Sequence, residues 1–526
     1  MNKKNLVLLI EANSPYFRHI DEEGMKKNGA LVSCLFDSIS NVYLPLLSMC
    51  ERLEKDNIPF KFMMVITPVL CTLLKDDKVQ DQYIQWLENK SELAKKEIER
   101  VCQNAELLKI AEGQAEKIAK ARDDFENKYS KDLLSQFAQL QRSGHVEFLG
   151  TCATDAYLPH YINTPEIISA QIETGLHSFK EFFAELPDGF WLPESAYVPG
   201  LEKVIRSYGY NYTVLDPRAF LFSKDFVDNG TFYPVKTQSP LIAFAKDQSS
   251  VIDFNLEKGY PSSPVYRNEN RDIGFELDQN ALLPFISENQ SRFATGFKYF
   301  SKENDSVYNM EKARAQVIAD AKAFVEKHAE ILKKAEACSD CSFVSQIIHV
   351  SSKTLRKWHE SIDFLENVFR FGAEADFEFT CCGVLSKKAD NLQEINPYQS
   401  SSLGTGYGEV LLTGKNAWMM RYLQKACERI VDLADRFPTD TGLKARLLNL
   451  GVKELMLAQS TAWGRMIDEG VYAEYARKVF SDCISSFTTV FDSLGSNVVS
   501  TEWLTEVEAL HPIFPWMNYR IFSKKK

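Results

Sequence analysis

The chain has 526 residues, 45% hydrophobic and 25% charged, with a formal net charge of -11. A chain of this length buries one large core and at least one smaller one, and its acidic balance opposes nucleic acid, whose phosphates demand a basic face. A neutral or weakly charged substrate fits that balance better, and eleven cysteines without framework spacing read as reduced thiols.

The first apolar run, Leu6 to Ile10, ends at Glu11 and is too short for the core of a signal peptide, so it predicts a buried strand in a cytoplasmic protein. No run approaches the roughly 20 apolar residues of a membrane span. Further strands are expected at Phe60 to Ile66, His145 to Gly150, Gly189 to Leu192, Tyr212 to Leu215, Leu241 to Phe244 and Val344 to Val350, with long helical stretches between several of them. This alternation predicts an α/β fold, barrel or layered sheet, with chemistry where the strands end.

Two helical insertions interrupt the rhythm, near residues 76–142 and 310–334, and their charge runs read as solvated faces. After the Ser/Gly-rich stretch "PYQSSSLGTGYGE" (Pro397 to Glu409), successive amphipathic helices predict a C-terminal helical domain over 397–526, following a domain over 1–396. Cys338 and Cys341 form a Cys-x-x-Cys with no second pair, and Cys381 and Cys382 are equally unaccompanied, so no metal or cofactor is expected.

The polar residues at expected strand ends are Glu11 and Asn13, Asp155, Glu194 and Asp216. Glu194 stands in "GFWLPESAY", among aromatics, where a charge costs several kcal/mol unless it is paired or chemically employed. Glycosidic chemistry uses such a set: one carboxylate attacks the anomeric carbon while another protonates the leaving oxygen, about 5 Å apart in retaining enzymes. Tyr16, Tyr157, Trp191, Tyr197, Trp358, Trp418 and Trp463 are candidate flat surfaces for sugar rings, with core packing as the competing reading of each.

The segments "GHVEFLGTCATDAYLPH", "GFWLPESAYVPGLE", "GYPSSPVYRNENRDIGFEL", "GYGEVLLTGKNAWMMRYLQKACERIVDLADRF", "LAQSTAWGRMI" and "IFPWMNYRIF" resemble, in order and over nearly the whole chain, landmarks of glycoside hydrolase family 57, in particular its 1,4-α-glucan branching enzymes. The resemblance implies an incomplete seven-fold (β/α) barrel with a helical insertion and a C-terminal helical domain. It also implies retaining double displacement on α-1,4-glucan or a glycogen-like polysaccharide, with the family's nucleophile falling on Glu194.

The departures cluster at the implied site. Glu11 and Asn13 in "EANSPY" stand where the family carries His-x-His, and Asp155 in "TDAYLP" replaces a third His. Aligning "HVSSKTLRKW" on the fourth motif puts the family's general-acid Asp at Val350 or Ser351; of its paired Trp only Trp358 survives, beside Lys357. "GYPSS" replaces Gly-Tyr-Pro-Gly-Asp, "YRNENRD" keeps Tyr266, Arg267, Arg271 and Asp272, and Ala462 stands for the Asp of Ser-Ser-Asp-Trp.

General acid catalysis contributes about 10²–10⁴-fold, so loss of the usual acid leaves three expectations. The chain is an active glucanotransferase, a catalytically impaired glucan-binding or regulatory pseudoenzyme, or a structural partner of other glycogen enzymes. In the active reading Glu11 or Asp155 substitutes as acid, because like charges a few Å apart do not both ionise cheaply. Asp216, read as a cap before Pro217, and Glu360, on a helix past the motif, are weaker candidates.

Overall fold

A computed structural model of the chain describes residues 3–18, 31–183, 185–282, 292, 294–303 and 306–524. Its strands are β1 (Lys4–Ala12), β2 (Phe62–Ile66), β3 (Val146–Phe148), β4 (Gly189–Phe190), β5 (Tyr212–Leu215), β6 (Val235–Lys236), β7 (Ile242–Ala245), β8 (Val344–Ser351) and β9 (Glu378–Phe379). Parallel pairing runs β8-β1-β2-β3 and β4-β5-β7. A parallel bridge between Gly150 and Phe190 joins the two runs into seven strands, with Trp191 N–H donating to Gly150 O at 2.7 Å.

Among the described residues no strand pairing closes β7 onto β8. The gap is spanned instead by the turn after β7, where Asp247 N–H donates to Ile347 O at 2.8 Å and His349 N–H to Ser250 Oγ at 3.1 Å. This is the incomplete seven-stranded α/β barrel that the sequence implied. Two short strands were not anticipated: β6 lies antiparallel on β7, and β9 pairs with the start of β1.

Side chains alternate across each strand with period two. Val7, Leu9, Met63, Val65, Leu149, Trp191, Tyr212, Val214, Phe244 and Ile347 fill the barrel interior. Leu6, Leu8, Ile10, Phe62, Met64 and Phe190 belong instead to the core between barrel and helices. Two residues beyond the last interior apolar position the same alternation places Glu11 after Leu9, Asp216 after Val214, Lys246 after Phe244 and His349 after Ile347. At Gly189 a Cβ would lie 2.2 Å from the Tyr212 ring, so only glycine lets β4 approach β5 here.

The first insertion is a helical hairpin, Asp77–Val101 and Ala105–Asp123, N-capped by Asp76 and Asn104, whose side chains each accept from two backbone N–H groups. Its charged face is not wholly solvated: Lys90 is buried over the Trp86 ring and bonds Asp37 at 3.0 Å, and Glu97 accepts from the Tyr299 hydroxyl. The second stretch lies in the helix Met310–Ala337, which packs on β1 and β8 through Ala313, Val317, Ala321, Phe324 and Leu332. It is therefore part of the barrel wall, and its buried His328 bonds Asp253 and Gln346.

The C-terminal helices Trp418–Arg436, Gly442–Ala458, Thr461–Glu469 and Ala473–Ser496 share the barrel's core, one cluster running from Leu6 to Phe522, while the helix Thr501–Leu510 packs in a smaller one through Leu504 and Val507 on Leu447, Leu450 and Val490. Thr461 N–H donates to Asp155 O at 3.1 Å, and Arg18 Nη1 to Ala509 O at 2.7 Å. One helix, Leu31–Lys55, is long and apolar enough to cross a membrane, which the sequence reading had excluded for every run; most of it is buried inside the protein, as core helices are.

Candidate active site

Glu194 follows β4 in a short turn, Pro193–Ser195, with φ 55° at Glu194 and 47° at Ser195. Asp155, in the loop after β3, has φ 59°. Left-handed backbone at non-glycine residues costs of order 1–3 kcal/mol each and persists where the surroundings enforce it. Here Ser402 N–H and Ser401 Oγ both donate to Glu194 O, at 2.7 and 3.2 Å, while Thr461 N–H holds the Asp155 carbonyl.

The side chains converge from seven segments: the end of β1, the loop after β3, β4 and its turn, the ends of β7 and β8, the stretch at Ser402 and the helix Thr461–Glu469. Arg465, on the helix Thr461–Glu469, donates from Nη1 to Glu194 Oε1 at 2.5 Å, and its Nη2 lies 3.8 Å from Glu469 Oε1. Asp155 Oδ2 accepts from Asn13 Nδ2 at 3.0 Å and Thr461 Oγ1 at 2.7 Å. Glu11 Oε2 pairs with His349 Nε2 at 3.0 Å. The His349 ring leans on Trp191, centroids 4.9 Å apart, and the buried Lys246 donates to Ser402 Oγ with its ammonium 5.8 Å from the Trp191 ring.

These surroundings separate the carboxyls electrically. Burial, followed by the charges of Glu194 and Glu11, pushes the Asp155 carboxyl up to about 7, against the weaker pull of Thr461 and Asn13. Glu11 is also penalised by burial, yet the hydrogen bond from His349, with the charge of Lys246, holds it below the usual carboxylate range. The Trp191 indole N–H acts in the same direction without closing a full hydrogen bond. Burial holds His349 below its ordinary value despite Glu11, so at neutral pH a neutral imidazole donates to the Glu11 carboxylate. Burial likewise lowers Lys246, with Asp216, Glu11 and Glu194 opposing, while the Glu194 charge raises Arg465.

The structure thus brings together Glu11, Asn13, Asp155 and Glu194. The two proposed substitutes part company: Glu11 is held as a carboxylate by His349, which removes it as a proton donor, whereas Asp155 retains a proton up to neutrality. Asp216 accepts from Arg218 N–H at 3.1 Å, the capping role expected of it. Glu360 accepts from Arg267 N–H and is buried with Arg267 and Tyr308, apart from this cluster. Val350 is buried with the outer core and Ser351 Oγ caps the following helix through Thr354 N–H, so β8 ends without a carboxylate and presents His349 inward instead.

The aromatic set needs correction. Tyr16 donates to Leu510 O with its edge on His511, Tyr197 donates to Glu202, and Trp463 donates to Leu457 O at 2.7 Å inside the core. Trp358 is packed among Phe254, Tyr266 and Phe364. These four are wrapped on their faces by protein and offer no open platform for a sugar. Trp191 is equally buried, inside the barrel behind His349; Tyr157 is buried against Ala196, Leu403 and Leu411, where Glu194's charge reaches its hydroxyl; Trp418 is 38% exposed, edge-on to Tyr422.

Four site residues were missed from sequence. His349 and Lys246 were legible as interior positions by strand parity. Thr461 and Arg465 carry no local signal, because a C-terminal helix delivers them to the barrel through tertiary packing.

An acidic group protonated near neutrality beside a second, cation-paired carboxylate is an arrangement suited to general acid and nucleophile roles at glycosidic bonds. The sequence profile of glycosyl hydrolase family 57 matches residues 7–270, and that of the 1,4-alpha-glucan branching enzyme C-terminal region matches residues 422–522. A 1,4-alpha-glucan branching enzyme of Thermococcus kodakarensis is 22% identical over 472 residues, 84% of this chain and 67% of that protein. Probable 1,4-alpha-glucan branching enzymes of Mycobacterium tuberculosis are 25% identical over 247 residues, and the chain spans 45% of their length.

Among solved structures, the α-amylase AmyC from Thermotoga maritima superposes with a TM-score of 0.91 at 27% identity, covering 100% of both chains. The branching enzyme of Pyrococcus horikoshii superposes with a TM-score of 0.88 at 20% identity, covering 100% of this chain and 97% of that one, a likeness of fold. The chain therefore belongs to glycoside hydrolase family 57 and is branching-enzyme-like along its length.

Proposed function

We propose that the protein acts on α-1,4-glucan by retaining double displacement, with Glu194 as nucleophile and Asp155 as acid and base. The observation that carries this reading is the unequal pairing of the two carboxyls: Glu194 has the Arg465 guanidinium, whereas Asp155 has only the neutral donors Asn13 and Thr461. Glu194 attacks the anomeric carbon as Asp155 gives its proton to the departing glycosidic oxygen. Asp155 then takes a proton from the incoming hydroxyl, which attacks the same carbon and frees Glu194. The acid role has moved from the end of β8 to the loop after β3.

His349 and Glu11, backed by the buried Trp191, orient the reacting sugar, and exclusion of water by the buried strand ends strengthens the charges acting there. The names of the Thermococcus and Thermotoga relatives, a branching enzyme and an amylase, support α-1,4-glucan as substrate class. Among the described residues no cysteine is in a disulfide, which supports a reducing, cytoplasmic setting.

A second reading, glucan binding without turnover, is favoured by the missing carboxylate at the end of β8, where Val350 and Ser351 stand. Incubation with amylose tests both. Turnover changes the iodine spectrum, and branching adds chain ends revealed only after debranching, whereas hydrolysis adds reducing ends directly. Activity abolished by Glu194→Gln supports the first reading; glucan retention with no turnover at high protein loading supports the second.

A further inference from the structure

A ledge of exposed aromatics adjoins the site. Residues 216–228 and 393–402 run side by side: Tyr398 N–H donates to Ala219 O at 2.8 Å, Ser223 Oγ to Asn396 O at 3.0 Å, and Asn396 N–H to Asp225 Oδ2 at 2.9 Å. This backbone presents Phe222 (55% exposed), Tyr398 (37%) and Tyr407 (49%) to solvent. The Phe222 and Tyr398 rings meet edge to face with centroids 6.2 Å apart, and the Tyr407 hydroxyl meets that of Tyr398. Tyr407 is brought over the ledge by a close loop: at Gly406, with φ 123°, a Cβ would sit 2.1 Å from Arg218 Nη1.

Exposed rings of this size, fixed in place and clustered, mark a recognition surface rather than random exposure. Their connection identifies the ligand. The segment carrying Tyr398 continues directly into Ser401 and Ser402, which hold the Glu194 carbonyl, and Arg218 Nη1 bonds Ser401 O at 2.9 Å. Three residues lie between Tyr398 and Ser402, whose N–H bonds Glu194 O, so the ledge begins within about 17 Å of the nucleophile's backbone. Each phenol offers an apolar face with a polar edge, the combination that stacks on a pyranose ring while bonding its hydroxyls.

We propose that Phe222, Tyr398 and Tyr407 form an outer subsite that holds an α-glucan chain beyond the sugars at Glu194, and so sets the chain length the protein prefers. This rests on α-glucan being the substrate class. The test titrates wild type and the triple variant Phe222→Ala/Tyr398→Ala/Tyr407→Ala with maltotriose and maltoheptaose by calorimetry, and runs both through native gels containing amylose. The expected result is a loss of maltoheptaose affinity of about tenfold or more and faster migration in amylose, with maltotriose affinity and Tm unchanged.

Binding of maltoheptaose by the triple variant within twofold of wild type overturns the outer subsite while leaving α-glucan as the substrate. Failure of wild type to bind either sugar overturns the substrate class and the subsite together. A wild type that self-associates in sedimentation, where the variant does not, assigns the ledge to a second copy of the chain instead.

Discussion

Arg465 Nη1 lies 2.5 Å from Glu194 Oε1, while Asp155 takes hydrogen bonds only from Asn13 and Thr461. Glu194 thus has a cationic partner, and Asp155 has only neutral donors. Arg465→Gln leaves a partly buried carboxylate without its counter-charge, and kcat/KM on amylose is expected to fall about 10²-fold, in the range of lost electrostatic positioning. Arg465→Lys keeps the charge and is expected to lose less. Equal losses in the two variants would assign Arg465 a role of shape, not charge.

The Asp155 carboxyl, raised to about 7 by burial and by Glu194, is protonated below that pH and deprotonated above it. Activity that needs its proton therefore declines as pH rises through about 7, and Asp155→Asn is expected to remove that limb together with about 10²–10⁴ of the rate. Linkage gives a second readout. A raised carboxyl stabilises the fold below its unfolded value near 4, and that contribution is lost as pH rises through about 7. Asn does not titrate, so the Tm of Asp155→Asn should gain on wild type between pH 5 and pH 8. A constant difference would contradict the buried, charge-coupled setting.

His349 and Glu11 form a buried polar pair beside Trp191. His349→Phe keeps a ring against the indole but removes the N–H, and is expected to cost roughly 1–3 kcal/mol at pH 7, because Glu11 is left buried without its donor. A double-mutant cycle with Glu11→Gln measures the coupling; additive losses would show that the two side chains do not support one another.

Trp463 separates core from platform. Its indole is enclosed and bonded to Leu457 O. Trp463→Ala is expected to lower unfolding free energy by about 3–5 kcal/mol, as for large aromatic deletions in cores, read by urea denaturation. A large drop in glucan affinity with little loss of stability would restore its reading as a sugar platform.

The seven parallel strands were legible because each is a short apolar run ending in polar residues, and strand ends named Glu11, Asn13, Asp155 and Glu194. Strand parity also encodes His349 and Lys246, two residues beyond Ile347 and Phe244. Thr461 and Arg465 were not legible, since nothing local tells a helix 306 or 271 residues away that it will meet Asp155 or Glu194. Nor does sequence distinguish an aromatic that borders the site from one that packs in the core away from it: Trp191, Trp358 and Trp463 are all buried, and only the polar neighbours His349 and Lys246 set Trp191 apart. The helix Met310–Ala337 looked like an excursion because its outer face is charged, while the small residues on its inner face pack on the barrel.

The central claim, that Asp155 supplies the proton and Glu194 the attack, is tested most directly by changing the leaving group. α-Maltosyl fluoride carries a leaving group that departs without a proton, whereas amylose does not. Glu194→Gln should abolish turnover of both substrates. Asp155→Asn should lose amylose activity yet keep the first step from the fluoride, read as a burst of fluoride release, with turnover restored by azide, which attacks the glycosyl-enzyme without a base. Absence of both the burst and the azide rescue in Asp155→Asn, or undiminished amylose activity, would contradict the assignment.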